Sequence, residues 1–176
     1  IQQSLYNALA ESYLARPIVA ILTQVLVDMS DPAFDNPTKP IGPFHTDEEA
    51  ESLRERGVPL VNFPGYGWRR VVASPRPIRI IEGDTVRKLA NEDVVVIAAG
   101  GGGIPVYKEE GMLHGTDAVI DKDLASSMLA QGVGADRLFL LTDVNKAYLN
   151  FGTPQQAGLD TITTSEAERH MADGHF

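Results

Sequence analysis

The chain has 176 residues, 43% of them hydrophobic and 22% charged, with a formal net charge of −9 and no cysteine. This is the composition of a folded globular protein, and its negative balance argues against a general nucleic-acid binder while leaving room for a locally basic phosphate pocket. Disulfides, thiolate metal sites and cysteine nucleophiles are excluded, and no apolar stretch is long enough to span a bilayer, so the expectation is a soluble, cytoplasmic protein without membrane or nucleic-acid partners.

The chain begins in helical stride, with Ile1, Leu5, Ala8 and Leu9 at helical spacing and no initiator Met, and it ends at Gly174, His175 and Phe176 with no closing element. The expectation is a piece of something longer. The opening helix should stop before Pro17, and Ile18 to Val27 is β-branched and apolar enough for a strand. From Asp28 the character changes: Pro32, Pro37, Pro40 and Pro43 fall within twelve residues and stiffen the backbone without making a core. Thr46 to Glu49 has the capping-box pattern of a short helix running to about Arg56, with Gly57 as its stop. Residues 28–77, through Gly67 to Val72 and Ser74 to Pro77, read as an excursion from the main sheet, a small subdomain or lid.

After it an α/β rhythm returns. Gly83 to Glu92 suits a helix, and Val94 to Ala99 is a β-branched run of the kind buried on both faces of a parallel sheet. It leads into Gly100, Gly101, Gly102 and Gly103. Parallel sheets bind ligands at the carboxyl ends of their strands, and glycines there offer bare N–H groups to phosphate or carboxylate. An isolated Gly pair would read as a flexible turn, whereas four in succession favour a site. Val106 to Met112 suits a hairpin around Glu110 and Gly111. Asp121 to Leu129 has the apolar spacing of a helix, Arg137 to Thr142 reads as another buried strand ending in Thr142-Asp143, and Ser165 to Ala172, with Glu168 three residues beyond Ser165, reads as a last helix.

The second chemical candidate is Asp117 to Asp123, which sets Lys122 between Asp121 and Asp123 at a helix start, where backbone N–H groups and the dipole favour anions. A lysine there is a mobile point charge of the kind phosphoryl transfer uses, and the flanking carboxylates keep it protonated and in place. The same spacing also suits a plain N-cap aspartate followed by an exposed lysine.

Taken together, Asn36-Pro37-Thr38-Lys39-Pro40-Ile41-Gly42, Gly67-Trp68-Arg69-Arg70-Val71-Val72 with Ser74-Pro75, Gly101-Gly102-Gly103-Ile104-Pro105, Val119-Ile120-Asp121-Lys122-Asp123-Leu124-Ala125 and Leu141-Thr142-Asp143-Val144 resemble the carbamate kinases of the amino-acid kinase family. The likeness runs through nearly the whole chain in order. It implies an α/β, three-layer αβα fold with a mainly parallel sheet, comprising residues 1–27 and 78–176, and a protruding subdomain at 28–77. It implies a homodimer that moves phosphoryl groups reversibly between ATP/ADP and carbamate/carbamoyl phosphate, with Mg2+ accompanying the nucleotide, commonly in arginine breakdown. On this resemblance Lys122 stabilises the phosphoryl group in flight, Asp123 orients the catalytic lysines and Asp121 supports the same turn. Gly101, Gly102 and Gly103 line the carbamate side, and Lys39 reaches over the site to hold the substrate phosphate. Thr142, Asp143 and Tyr148 border the nucleotide. Lys39 also suits a solvated loop lysine, Asp143 a turn residue and Tyr148 a core residue. Trp68, Arg69 and Arg70 read as anchors of the subdomain.

The family's opening Gly-Gly-Asn loop and its later Gly-Ser-Met-Gly-Pro-Lys segment have no counterpart here, so a severely slowed reaction is expected of the isolated chain. His45, His114, His170 and His175 are scattered and lack metal-ligand spacing. The glycine run is followed by Ile104-Pro105 rather than by the helix a dinucleotide fingerprint requires. Acetylglutamate or uridylate kinase is the near alternative, and a non-catalytic ligand-binding or regulatory domain of the same fold is the alternative from another class.

Overall fold

An opening helix, α1 (Gln2–Glu11), ends well before Pro17 in the computed structural model, which describes residues 1–175. Two short strands follow, β1 (Ile18–Ala20) and β2 (Gln24–Leu26), and then β3 (Lys39–His45), α2 (Asp47–Glu55), β4 (Leu60–Phe63) and β5 (Gly67–Val72). The first of two compact units, which ends at Leu138, is completed by β6 (Arg79–Ile80), α3 (Gly83–Asn91), β7 (Val95–Ile97), β8 (Ile104–Glu109), β9 (Met112–Gly115) and α4 (Lys122–Val133). The second unit, from Phe139 onward, holds β10 (Ala147–Leu149), β11 (Ala157–Leu159) and α5 (Thr164–Ala172).

The run Ile18 to Val27, expected as one strand, is interrupted at residues 21–23 because its partner is interrupted. β1 pairs in parallel with β7 and β2 pairs in parallel with β8, and the offset of 77 residues at Ile18↔Val95 becomes 80 at Gln24↔Ile104. The glycine run is the insertion that accounts for the jump. Thr23 spans the gap: its carbonyl accepts the Ile104 N–H at 2.8 Å and its hydroxyl accepts the Ala99 N–H at 2.9 Å. β6 and β9 add antiparallel edges, giving the order β6-β2-β8-β9. The hairpin joining β8 to β9 turns at Glu110 (φ 48°) and Gly111 (φ 85°), the two positive angles of a type I′ turn.

The main cluster of buried side chains is Val25, Val27, Ile80, Ala99, Ile120 and Ala125, with Phe34, Met128 and Leu129 packed against it. Two of these, Ala99 and Ile120, sit directly beside the glycine run and the start of α4, so the core itself sets their spacing. β7 departs from expectation. It is half-buried along its length rather than covered on both faces, and β1 is the strand it pairs with among the described residues.

Residues 39–72 form a separately hydrogen-bonded antiparallel sheet, β3-β5-β4. β3 is an edge strand with a bulge between Ile41 and Phe44, which accommodates Pro40 and Pro43 without breaking a central ladder. α2 has the expected capping box, with Thr46 and Glu49 satisfying each other's backbone N–H groups. The Trp68 indole donates to Asp47 at 2.7 Å beneath the Arg54 guanidinium, 3.7 Å from its ring centroid. Arg69 donates to the Gly42 carbonyl at 2.9 Å, and Arg70 pairs with Asp117 at 3.5 Å.

The buried strand expected at Arg137 to Thr142 is absent. An apolar run becomes a strand only when a neighbour takes its N–H and C=O groups. No described residue pairs with this one, and Leu141 is 91% exposed. The last helix forms, but its N-cap is Thr163 with Glu166, two residues earlier than the Ser165–Glu168 pair.

Candidate functional site

The site is built where the turn before α4 meets the glycine run. Asp121 caps α4, its Oδ1 accepting the N–H groups of Asp123 at 2.9 Å and Leu124 at 3.3 Å. This is the N-cap arrangement in which a short carboxylate replaces missing intrahelical acceptors. It places Lys122 and Asp123 in the first turn, where Lys122 Nζ donates to Asp123 Oδ1 at 2.8 Å. The free oxygen of Asp121, Oδ2, accepts from Lys39 Nζ at 3.0 Å across 82 residues of sequence. Two lysines and two aspartates therefore alternate at one helix start. Lys39 is paired with Asp121, and Lys122 with Asp123.

These charges shift one another as Coulomb's law requires. The hydrogen bond from Lys39 holds the Asp121 carboxyl below its ordinary value, helped by the two backbone N–H groups and opposed by partial burial. The Asp123 carboxylate raises the Lys122 ammonium above its ordinary value, so this lysine stays charged at neutral pH.

The glycine run closes on this turn. Ala99 (φ 62°) sits in a γ-turn with the Gly100 N–H donating back to the Ala98 carbonyl at 2.7 Å, and the Gly102 N–H donates to the Ala99 carbonyl at 3.0 Å. Gly102 (φ 131°) lies so near the residue preceding Asp121 that a Cβ there would fall 2.1 Å from the Ile120 carbonyl oxygen. That close approach is why position 102 takes glycine, and it puts the glycine corner in direct contact with the residue before the N-cap of α4. An open cavity of about 430 Å3 adjoins the glycine corner, lined by Thr23, Gly100, Gly101, Gly103, Ala118 and Val119 among others. Among the described residues, the N–H groups of Gly101 and Gly103 donate to no protein acceptor.

The structure thus joins Lys39 to Asp121 and Lys122 to Asp123 at the start of α4, and sets Gly102 against Ile120, the residue before Asp121. Thr142, Asp143 and Tyr148 lie in the second unit instead. Thr142 closes a small turn, its hydroxyl donating to the Val144 carbonyl at 2.9 Å, and it does not end a strand. Tyr148 is half-buried in β10 with its ring 5.8 Å from that of Phe151. Thr23 went unmarked in the sequence because a threonine inside an apolar run reads as strand filler. Only the paired geometry makes the hydroxyl of this buried residue the support of the glycine turn. No group of three or more metal-ligating side chains occurs among the described residues, and both site aspartates are committed to lysines.

A model of the amino acid kinase family matches residues 9–175. The chain is 51% identical over 180 residues to the carbamate kinase-like protein YqeA of Escherichia coli, covering all of this chain and 58% of that protein. It is 47% identical over 177 residues to the carbamate kinase of Pyrococcus horikoshii, covering all of this chain and 56% of that enzyme. The structure of carbamate kinase from Giardia lamblia bound to AMP-PNP superposes with a TM-score of 0.87 at 43% identity, over 99% of this chain and 56% of that one. The chain spans a little over half the length of the curated relatives it matches.

Proposed function

The chain belongs to the amino acid kinase family, with the α/β fold of that family, and from this premise we propose that the protein is a carbamate kinase. It moves a phosphoryl group reversibly between ATP/ADP and carbamate/carbamoyl phosphate. The observation that carries the reading is the double ion pair at the start of α4, Lys39 with Asp121 and Lys122 with Asp123, set against a glycine corner with unused N–H groups. Two ammonium groups beside bare backbone donors suit a group that carries negative charge throughout its transfer.

In the direction that forms ATP, a terminal phosphate oxygen of ADP attacks the phosphorus of carbamoyl phosphate and the bond to the carbamate oxygen breaks. Lys122 follows the charge on the phosphoryl oxygens in flight. Lys39 holds the substrate phosphate, and Gly101 to Gly103 take the carbamate side. Asp123 keeps Lys122 charged and aimed. Thr142, Asp143 and Tyr148 border the nucleotide, and residues 28–77 form the lid that carries Lys39. Mg2+ accompanies the nucleotide phosphates; the described side chains make no cage for it, and a cation bound mainly by phosphate and water needs none. A homodimer in the cytoplasm, active in arginine breakdown, completes the reading. The Giardia relative's AMP-PNP supports an adenine nucleotide as donor, and the Pro37 to Gly42 segment supports carbamate over acetylglutamate as acceptor.

The test is ATP formation from carbamoyl phosphate and ADP by the full-length protein. Lys122→Ala should lower turnover at least about 100-fold, while ADP affinity by calorimetry changes little. Tight ADP binding with no turnover by the unsubstituted protein would overturn the reading in favour of a non-catalytic nucleotide-binding protein.

A further inference from the structure

We propose that Asp121 is a positioning residue that holds the Lys39 ammonium over the site before any substrate arrives. It engages one of the three ammonium donors and leaves two for a phosphoryl group. The inference rests on the carbamate kinase reading for its substrate, but its structural basis is independent of it.

The backbone brings the two residues together. Lys39 pairs with Val72 across β3 and β5, the next residue along, Ala73, forms a parallel bridge with Ala118, and the Val119 N–H donates to the Ala73 carbonyl at 2.9 Å. The root of the antiparallel sheet is thereby stitched to the segment that runs into α4. Asp121 is fixed in turn, because its Oδ1 is occupied by two backbone N–H groups, which orients Oδ2 toward Lys39. Both side chains are about two-thirds shielded, at 37% and 34% exposed, so their attraction is less screened than that of a surface pair. Lys122 does not compete for this carboxylate, being held by Asp123. Each lysine therefore has its own aspartate, and the one on the mobile-charge side of the helix start is separate from the one that anchors the lid lysine.

The experiment is Asp121→Asn in the full-length protein. Asparagine caps a helix about as well as aspartate, so α4 is kept while the charge facing Lys39 is lost. KM for carbamoyl phosphate should rise about 5- to 10-fold, with KM for ADP unchanged and kcat affected less. In a Lys39→Ala background the same substitution should add nothing further. An equal rise in KM in that background would overturn the proposal, since Asp121 would then be acting on something other than Lys39. Hydrogen exchange of residues 38–45 gives a readout that needs no activity. Asp121→Asn should speed exchange there and leave the amides of α4 unchanged, and unaltered exchange at 38–45 would overturn the proposal even if the protein proved not to be a carbamate kinase.

Discussion

Gly102→Ala is the substitution most directly predicted by the geometry. A Cβ on Gly102 would sit 2.1 Å from the Ile120 carbonyl oxygen and 2.9 Å from its carbon, whereas real contacts of this kind do not fall below 3.0 Å. The obstacle is backbone, so relief requires the two segments to separate by about 1 Å. An alanine at φ 131° adds backbone strain of roughly 1–3 kcal/mol, and forcing extra volume into packed surroundings costs about 1–3 kcal/mol more. The sum is on the order of 2–6 kcal/mol, a large part of a typical stability of about 5–15 kcal/mol. In urea, with a slope of roughly 1–3 kcal/mol/M, the unfolding midpoint should fall by at least about 0.7 M. Gly101→Ala is the control, since a Cβ there meets nothing within 4 Å and the backbone angle is ordinary. It should stay within about 0.5 kcal/mol of the parent. The same 1 Å displacement carries Asp121 and Lys122 with Ile120, and a misplacement of that size typically costs about 100-fold in rate. Equal midpoints for the two alanine variants would refute the close-approach argument.

Thr23→Val removes the acceptor of the Ala99 N–H while keeping nearly the same shape, so it should destabilise by about 1–3 kcal/mol, read as a lower urea midpoint with an unchanged slope. Because the folded Asp121 carboxyl is held below its ordinary value, the Lys39–Asp121 pair contributes fully above that ordinary value and loses its contribution as pH falls through the lowered one. The stability difference between the parent and Asp121→Asn should therefore shrink below about pH 4, measured as the gap between urea midpoints. Lys122 has the opposite sign: its raised value means that its pairing with Asp123 is complete below the ordinary lysine value and is lost as pH rises past the raised one. Replacing Trp68 with Phe keeps the ring under Arg54 but deletes the bond to Asp47, and should cost about 1 kcal/mol in thermal or urea unfolding.

Local chemistry carried much of the reading. The Thr46–Glu49 capping box, the Gly57 stop, the Glu110-Gly111 hairpin and the helix opening at Asp121 depend on interactions within four or five residues, and each is found as the spacing indicates. The α/β rhythm was legible for the same reason. The misplaced elements are those whose state is decided by distant partners. Arg137 to Thr142 has the composition of a strand and no neighbour to pair with among the described residues. Ile18 to Val27 has the composition of one strand and is divided by a three-residue jump in the register of its partner. At Thr163 and Ser165 two overlapping capping patterns competed, and the hydroxyl of Thr163 took Glu166.

At the candidate site the division is sharper. Residue types and short spacings identified Asp121, Lys122, Asp123 and the glycine run as the chemically interesting parts, because charge at a helix start and bare backbone after a strand are local properties, whereas Lys39 was singled out only by the family resemblance. The pairing of Lys39 with Asp121, the contact of Gly102 with Ile120 and the support of Ala99 by Thr23 join residues 82, 18 and 76 positions apart. No pattern along the chain encodes such pairs. They exist because parallel pairing of β1 with β7 and β2 with β8 brings the carboxyl end of one strand to the insertion in another, and the bridge from Ala73 to Ala118 brings the antiparallel sheet to the same place. The sequence by itself determined which groups were available, and packing decided which of them met.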